Sequence, residues 1–501
     1  MRRPRRTSFA LTMLLFCAIA VTAPFAAAPS AQAAGRPSTI PALREWTDGS
    51  GSYTFTSATR IVFNGASLVE EATVFADDLL GMTGLTIPVL SGTSPGPGDI
   101  YLTLGATDAT IGTEGYLLTI TDRVTIAARA DTGAFYGTRT VLQLLRQSHT
   151  IAAGSARDWP MYRLRGMHVD NGRKYFTPAW LRDHIRELAY LKMNTFHLHL
   201  SDREGFRVES TSHPEVPTAP YLTKADIAGL VDFAARYHVT IVPEIDSPGH
   251  MTAALRNHRE LWQGGTNASQ LDIGIDASYA FMEDLLRELI PLFPGPYWHL
   301  GADEYNLGSF PDYARYAQQH FCPPGTTASN ADALIGYVNW ANGIVKSFGK
   351  RSLAWHDVTR VTGNTCVTLD TDIVIDFWNS EPTAAIARGH TVVNSNRWYT
   401  YYVLGGANNT PQEVYSKWNP AVFAGATIQD AHPQNLGGKG LHIWCDKPDA
   451  ETEAQIAVAA YERLRGAAQN SWNSPKLTTR YKTFQTIIAA VGRAPGYGEH
   501  L

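Results

Sequence analysis

The alternation of strand-like and helix-like segments after Trp159-Pro160 constrains the fold more than any other feature of this chain. Parallel strands need long crossover connections, so strands that alternate with helices indicate a parallel sheet. Eight strands over about 330 residues suit a (β/α)8 barrel, which usually takes about 250 residues before insertions. The candidate strands are 163–169, 195–200, 240–245, 297–302, 352–355, 373–378, 391–394 and 440–444.

Helix-like stretches separate several of these strands and support the barrel. They cover residues 178–192, 224–237, 277–292 and 330–348, and the first has a clear start, with Thr177 as N-cap and Pro178 at the first helical position. We therefore predict a barrel domain over residues 160–495.

The segment before the barrel has a different pattern. Strand-like runs at 60–63 and 100–104 accompany helix-like stretches at 69–82 and 132–145, and acids, histidines and nucleophiles do not cluster there. We predict a small α+β domain over residues 36–158, with a supporting role.

The first 33 residues have the organisation of a secretory signal peptide. Four arginines precede an apolar run from Phe9 to Ala27, and Ala31-Gln32-Ala33 is a small-residue cleavage signal. A membrane anchor is the alternative, but Pro24 interrupts the run and no later apolar stretch reaches about 18 residues. We predict a secreted protein with no membrane partner after cleavage, exported by either the general or the twin-arginine route.

Charge and cysteine content exclude further classes. Loss of the leader and its four arginines would move the formal net charge from −4 to −8, which gives no basic footprint for nucleic acid. Beyond the leader stand Cys322, Cys366 and Cys445, an odd number whose spacing fits no zinc signature. We predict a Cys322–Cys366 disulfide, a buried Cys445 thiol, and neither a metal nor a cofactor. The oligomeric state stays open.

Polar residues recur where the predicted barrel strands end. In a barrel these ends share one rim, and the chemistry lies there. The residues are Asp170, Asp202, Asp246 with His250, Asp303-Glu304, His356-Asp357, Trp378, and Trp444 with Asp446.

The adjacent acids Asp303 and Glu304 indicate acid chemistry. In two-carboxylate glycosidases the groups face each other across the sugar, about 5–5.5 Å apart for retention and about 6.5–9.5 Å for inversion. Neighbours at one strand end would approach from one side, so in a glycosidase the nucleophile would come from elsewhere, and the substrate can supply it. The structural alternative is a pair that only caps the next helix.

Aromatic and cationic residues suggest a sugar pocket. Trp355, Trp378 and Trp444 follow predicted strands, and indole faces stack on the C–H faces of pyranoses, although each could be a core residue. Arg165, inside the first strand, could donate a fork of hydrogen bonds to sugar hydroxyls or form a buried ion pair.

A metal site is a second functional hypothesis. His197 and His199 share one face of a strand and, with Asp202, Asp246 and His250, could bind the metal of a barrel hydrolase. The alternative is that inward-facing histidines are satisfied by hydrogen bonds, which we prefer for His197 and His199.

Together these residues resemble glycoside hydrolase family 20, the β-N-acetylhexosaminidases, over almost the whole chain after the leader. The first domain resembles the accessory α+β domain of that family through 114–116 and 133–137. The matching barrel blocks are 165–170, 194–202 with 205–207, 243–250 and 299–304.

The resemblance implies a retaining mechanism in which the 2-acetamido group of the substrate attacks the anomeric carbon, an exception to the two-carboxylate scheme. Glu304 would be the acid and then the base, and Asp303 would orient the acetamido N–H. Tyr401 would hold the acetamido oxygen. His250 with Asp202 would support Glu304. The implied substrate contacts are Arg165, Trp355, Trp378, Trp444 and Asp446.

Two departures from the family pattern keep the substrate open. In the family, an aspartate commonly lies two residues after the tyrosine that Tyr401 resembles, and Val403 stands at that position here. Asp446 stands where many relatives have a glutamate. These two departures, together with residues 201–206, resemble the branch of the family that includes the lacto-N-biosidases, enzymes that release a disaccharide. In the family, the arginine that Arg165 resembles holds the hydroxyls of a terminal, unsubstituted GlcNAc. The resemblance therefore favours release of single GlcNAc or GalNAc, and we predict an exo-β-N-acetylhexosaminidase. The alternatives are a lacto-N-biosidase, release of 6-sulfated GlcNAc, and, in other classes, a non-catalytic carbohydrate-binding protein or a metal-dependent hydrolase.

Overall fold

The computed structural model describes residues 35–308 and 310–498. The predicted signal peptide, residues 1–33, lies outside the described residues. Within them, no helix combines the length and the apolar character that a membrane crossing requires.

The first domain is a seven-stranded mixed sheet with two helices. Its strands lie in the order β1-β7-β5-β6-β4-β2-β3, and β2 pairs in parallel with both β3 and β4. The strands are β1 (Glu45–Thr54), β2 (Ile61–Asn64), β3 (Val89–Ser91), β4 (Ile100–Thr103), β5 (Tyr116–Ile120), β6 (Val124–Ala128) and β7 (Thr150–Asp158). The helices are α1 (Val69–Thr83) and α2 (Asp131–Gln147).

Helix α2 joins this domain to the barrel. Thirteen of its residues are buried. Its Gln143 amide donates to the carbonyl oxygens of both Ile40, 2.8 Å away, and Tyr190, 2.9 Å away. The first domain therefore packs firmly against the outside of the barrel.

The second half of the described chain contains eight parallel strands that close into a barrel, which confirms the predicted fold. The closing pair is β16 with β20, where Val392 lies opposite Asn435, and β20 continues the ring to β8. The eight strands of the ring are β8 (Leu164–Asp170), β9 (Thr195–His199), β10 (Thr240–Glu244), β13 (Tyr297–His299), β14 (Arg351–Trp355), β15 (Val374–Phe377), β16 (Val392–Asn394) and β20 (Asn435–Trp444). Five short strands of this half of the described chain lie outside it: β11 (Trp262–Gln263), β12 (Asn267–Leu271), β17 (Tyr401–Val403), β18 (Val422–Phe423) and β19 (Ala426–Thr427). Strands β11–β12 and β18–β19 form hairpins outside the ring, and β17 pairs with β20 at the rim.

Helices surround this ring, and side chains cap several of them. Thr177 accepts a hydrogen bond from the Trp180 N–H and Pro178 follows it, as predicted. The helices are α3 (Pro178–Tyr190), α4 (Lys224–Arg236), α5 (Asp276–Leu289), α6 (Pro311–His320), α7 (Asn330–Ser347), α8 (Thr383–Ala387), α9 (Arg397–Thr400), α10 (Pro411–Lys417), α11 (Glu453–Trp472) and α12 (Tyr481–Val491).

The cysteines lie where the sequence predicts. Cys322, after α6, forms a disulfide with Cys366, and Cys445 is a buried free thiol next to Trp444. The bridge ties the loop after α6 to the segment between β14 and β15, on the outside of the barrel.

Candidate active site

The predicted rim residues come together at the carboxyl ends of the barrel strands. One cavity of about 230 Å³ is bordered by ten side chains from six of the strand ends or the loops after them. They are Arg173, His250, Asp303, Glu304, Trp378, Arg397, Tyr401, Val403, Trp444 and Asp446.

The loop after β13 holds the two adjacent acids in an unusual backbone conformation. Ala302 and Glu304 have φ values of 67° and 52°, which side chains other than glycine rarely adopt, so the surrounding contacts must hold the loop. The Ala302 N–H donates to Asp246 Oδ1 at 2.9 Å, and the Gln270 amide donates to the Glu304 carbonyl oxygen at 3.2 Å. The strain turns Asp303 and Glu304 in one direction, toward the cavity.

Gly301 shows why this loop needs a glycine. Its φ is 75°, and a Cβ atom built there would lie 1.8 Å from Asp246 Oδ1. No side chain fits while Asp246 keeps its hydrogen bond to Ala302. The glycine thus lets Asp246 support the loop that carries Asp303 and Glu304.

His250 links the three acids of the rim. Its Nδ1 lies 3.4 Å from Asp202 Oδ2, while its Nε2 lies 3.6 Å from Asp303 Oδ2 and 3.4 Å from Glu304 Oε2. Burial alone would lower the pKa of His250, but the surrounding carboxylates, Asp303 first, outweigh burial and raise it well above its usual value. His250 is therefore a cation that bridges Asp202 to the two adjacent acids.

The two adjacent acids differ in their surroundings. Glu304 has 60% of its side chain exposed, and the contact with His250 lowers its pKa. Asp303 is 13% exposed and lies against Asp246, whose pKa is raised well above its usual value, first by burial and then by the charge of Asp303. Burial also raises the pKa of Asp303, while the charge of His250 and the hydrogen bond with Asp246 lower it, and Asp303 is the member of the pair that faces the cavity.

Aromatic rings wall the cavity opposite these acids. The Tyr401 ring stacks on Trp378 at a centroid distance of 6.5 Å and lies 5.7 Å from the Trp444 ring. Burial, followed by the charges of Asp376 and Asp303, raises the pKa of the Tyr401 phenol well above its usual value. The hydroxyl is a neutral donor at every physiological pH.

Arg173 is a site residue that the sequence interpretation missed. Its guanidinium donates to Asp170 at 2.9 Å, lies 2.8 Å from Asp202, and sits 5.3 Å above the centre of the Trp444 ring. It also lies 3.9 Å from Asp446, whose side chain is 60% exposed. The position three residues after Asp170, beyond the end of β8, was the signal that could have identified it.

A second cavity, of about 440 Å³, adjoins the first. The two share Arg173, His250, Glu304 and Asp446, and the larger one continues along the loops after β9 and β10 and along strand β12. Its further lining residues are Asp202, Arg203, Thr252, Ser269 and Gln270.

The predicted substrate contact of Arg165 is wrong. Arg165 is the second residue of β8, five residues before Asp170, which places it about 17 Å down the strand at a rise of about 3.3 Å per residue. It is fully buried and donates to Glu114 at 2.6 and 3.1 Å and to the Tyr162 carbonyl oxygen at 2.7 Å. Arg165 ties the first domain to the opposite end of the barrel, beside a separate cavity of about 460 Å³.

The predicted pocket wall at Trp355 also needs correction. Trp355 is 1% exposed, and its indole N–H donates to Glu244 Oε1 at 2.7 Å inside the barrel. Its ring centroid lies 6.1 Å from that of Trp444, so Trp355 supports the wall from beneath.

The histidines considered for a metal lie deeper than the rim. His197 and His199 are fully buried, and each has a ring nitrogen within 3.0 Å of Glu244 Oε2. His199 also contacts Asp202 at 3.0 Å, and Lys439 contacts His197 at 2.7 Å. Both ring nitrogens of His199 have hydrogen-bond partners, which agrees with the interpretation that inward histidines are satisfied, whereas His197, among the described residues, is hydrogen-bonded only at Nδ1, to Lys439.

Comparison with known proteins decides the family. The model of glycosyl hydrolase family 20, catalytic domain, matches residues 162–475, and the model of domain 2 of the same family matches residues 36–159. The chain belongs to glycoside hydrolase family 20. It is therefore a glycoside hydrolase, and the resemblance inferred from the sequence is confirmed.

Individual family 20 relatives are similar along most of the chain. The lacto-N-biosidase of Bifidobacterium bifidum is 30% identical over 475 residues, 91% of this chain, but this chain spans only 42% of that relative. The β-N-acetylhexosaminidase of Cellulomonas fimi is 27% identical over 478 residues, which cover 87% of this chain and 89% of the relative.

A solved family 20 structure is similar in fold. The β-N-acetylhexosaminidase of Streptomyces coelicolor A3(2) superposes with a TM-score of 0.73 at 27% identity, covering 90% of this chain and 94% of that one. Family 20 membership and this fold support a carbohydrate substrate with a terminal N-acetylhexosamine.

Proposed function

We propose that this family 20 enzyme is a retaining exo-β-N-acetylhexosaminidase that releases terminal β-linked GlcNAc or GalNAc from oligosaccharides or glycoconjugates. The observation that carries the proposal is the placement of Asp303 and Glu304 on one side of the cavity, both next to His250. Acids in that arrangement do not flank a sugar, so the acetamido group of the substrate is the fitting nucleophile.

In the first step, the acetamido carbonyl oxygen attacks C1 while the glycosidic bond breaks and Glu304 protonates the leaving oxygen. Asp303 accepts a hydrogen bond from the acetamido N–H and offsets the positive charge of the oxazolinium ion. The Tyr401 hydroxyl donates a hydrogen bond to the acetamido carbonyl oxygen. In the second step, Glu304 takes a proton from water as the water attacks C1, the bond from C1 to the acetamido oxygen breaks, and the β configuration is kept.

Glu304 must carry a proton when the substrate is bound, although His250 lowers its pKa in the unliganded site. More than half of its side chain is open to water there. A sugar that covers this surface removes water from the carboxylate and raises its pKa, because desolvation disfavours the charged form. Substrate binding would thus supply the protonated acid.

Disaccharide release is a second candidate, supported by the cavity of about 440 Å³ beyond Arg173 and Asp446. Arg165 does not exclude it, since that residue lies at the other end of the barrel. The residue that would obstruct a second sugar is Arg173. Asp170 and Asp202 hold its guanidinium over Trp444, at the border between the two cavities. We therefore retain release of the single sugar as the leading proposal.

Release of 6-sulfated GlcNAc is a third candidate, supported by Arg397. Its guanidinium borders the sugar cavity, 5.5 Å from the Trp378 ring and 5.1 Å from the Trp398 ring. Among the described residues it forms no ion pair with a carboxylate, and the neighbouring Val403 carries no negative charge. An anionic group on the sugar would be matched by this cation.

The test compares aryl β-GlcNAc, aryl β-lacto-N-bioside and aryl 6-sulfo-β-GlcNAc, each with and without a thiazoline mimic of the oxazolinium ion. Thiazoline-sensitive release from aryl β-GlcNAc, with a β-configured first product by NMR, is the expected result. Fastest release from either other substrate would replace the leading proposal by the corresponding candidate. Full activity of Glu304→Gln would contradict the acid role of Glu304.

We also propose secretion, on the basis of the arginine-rich apolar leader over residues 1–33. Comparison of the N-terminus of the protein in culture medium with the encoded start tests it. An uncleaved, cell-retained protein would contradict the proposal.

A further inference from the structure

Two rim loops meet at a histidine–carboxylate cluster outside the active site. His213 and Glu215 lie on the loop between β9 and α4, and His258 lies on the loop after β10. His213 Nδ1 is 3.3 Å and His258 Nε2 is 2.8 Å from the same atom, Glu215 Oε1. One potential ligand atom from each of the three residues falls within 4.8 Å of the others.

These separations suit three ligands of one metal ion. Zinc bonds to histidine nitrogen and carboxylate oxygen are about 2.0–2.2 Å long, so neighbouring corners of a tetrahedral site lie about 3.3 Å apart. The separation of 3.3 Å between His213 Nδ1 and Glu215 Oε1 matches this value, and the separation of 2.8 Å between His258 Nε2 and Glu215 Oε1 is shorter, as in a hydrogen bond. Two imidazoles and a carboxylate are also the donor types that zinc prefers.

The second nitrogen of each ring faces a further carboxylate. His213 Nε2 lies 3.5 Å from Asp284 Oδ2 on α5, and His258 Nδ1 lies 3.2 Å from Glu260 Oε1. Histidines that bind metals usually donate their other N–H to a carboxylate or carbonyl, which fixes the ring and its tautomer. This arrangement is independent of the Glu215 contacts and points to the same ligand atoms.

The cluster is both rigid and reachable from solvent. The rings of His213 and His258 pack on Phe281, with centroid distances of 4.7 and 4.8 Å. Glu215 keeps 39% of its side chain exposed. Three carboxylates surround two histidines, and among the described residues neither lysine nor arginine pairs with any of those carboxylates.

We propose that His213, Glu215 and His258 bind a divalent transition metal ion, with zinc as the best match, and that Asp284 and Glu260 orient the two rings. The ion would join the loop after β9, which carries Asp202, to the loop after β10, which carries His250. Its role would be structural, because it lies apart from the two adjacent acids of the active site.

Protonation of the histidines, without a metal ion, is the competing explanation of the same contacts. A neutral imidazole has one N–H, so His258 can satisfy both Glu215 and Glu260 only as an imidazolium or as a metal ligand. The two accounts differ in whether the wild-type chain binds a metal ion that the variants do not.

The experiment uses the full chain, stripped with EDTA and then titrated with Co²⁺, whose visible absorption reports four-coordinate binding, and with Zn²⁺ in equilibrium dialysis. We expect one ion more per chain in the wild type than in His258→Gln, and Glu260→Gln should weaken binding by about 10-fold or more. Zinc should raise the Tm of the wild type and leave that of His258→Gln unchanged.

The matched control is His320→Gln, since His320 is a surface histidine that lies 3.9 Å from Asp276 and far along the chain from the cluster. It should bind metal as the wild type does. Circular dichroism and hydrolysis of an aryl substrate verify that each variant is folded. Equal metal content in wild type, His258→Gln and Glu260→Gln, or no bound metal in the wild type, would overturn the proposal.

Discussion

Separate substitution of Arg165 and Arg173, which lie near opposite ends of strand β8, tests which end of the barrel binds substrate. Arg173→Lys keeps the positive charge beside Asp170 and Asp202 but removes the forked donor at the edge of the sugar cavity. A charge-assisted hydrogen bond contributes about 1.5–3 kcal/mol. At about 1.4 kcal/mol per factor of ten, loss of one such bond to the sugar lowers kcat/KM by about 10- to 150-fold.

Arg165→Lys is the matched substitution at the other end of the barrel. Arg165 is fully buried and its fork contacts both oxygens of Glu114, so lysine leaves part of that carboxylate and the Tyr162 carbonyl without donors. Removing one partner of a buried ion pair costs about 3–5 kcal/mol. Lysine retains the charge, and Glu114 is partly exposed, so we expect a loss of about 2 kcal/mol in stability and no loss in catalysis by the folded enzyme.

The assay is steady-state hydrolysis of aryl β-GlcNAc together with thermal unfolding for both variants. We expect a large fall in kcat/KM with a small change in Tm for Arg173→Lys, and the reverse for Arg165→Lys. If Arg165→Lys loses as much kcat/KM as Arg173→Lys while both remain folded, the placement of the substrate beside Arg173 is refuted. Unchanged kcat/KM in Arg173→Lys would refute it as well.

Three further perturbations test the site and its support. Gly301→Ala should lower kcat by about 100-fold, because its Cβ would collide with Asp246 and shift the loop of Asp303 and Glu304. The control Gly343→Ala in α7, whose Cβ meets open space, should have no effect on kcat. Glu304→Gln should lower kcat by about 10²- to 10⁴-fold without a matching fall in Tm, and equal losses of both would contradict its acid role. Burial lowers the pKa of His184 to about 4 in the folded state. As the pH falls from about 6.5 to about 4, the unfolded chain binds a proton at this histidine and the folded chain does not, so the free energy of unfolding decreases. His184→Gln should flatten the pH dependence of the unfolding free energy in that window by up to about 3 kcal/mol, and an unchanged slope would contradict the linkage.

Much of the fold could be predicted from local patterns. The helix predicted over 224–237 is Lys224–Arg236, and the strand predicted over 195–200 is Thr195–His199. One boundary that differs is the end of β13 at His299, since the predicted strand continued to Ala302. The structure uses those residues for the strained turn that directs Asp303 and Glu304.

The candidate site was only partly predictable. Asp303, Glu304, His250 and Trp444 could be selected because each ends or follows a predicted strand, and strand ends share the rim, whereas Tyr401 was selected through the family resemblance. Arg165 was selected because it belongs to a motif, and a motif does not tell which end of the strand a side chain occupies. Trp355 had the right position along the chain but points into the barrel, beneath the pocket.

By itself the sequence determined the order of strands and helices, the class of fold and the set of acids at the rim, because these depend on periodicity and on neighbours along the chain. Only the tertiary structure decided that Arg173 and not Arg165 faces the cavity, that Asp246 supports the loop of Asp303 and Glu304, and that His213 meets His258. Such contacts join residues far apart in sequence, and closure of the barrel and packing of its loops fix their distances.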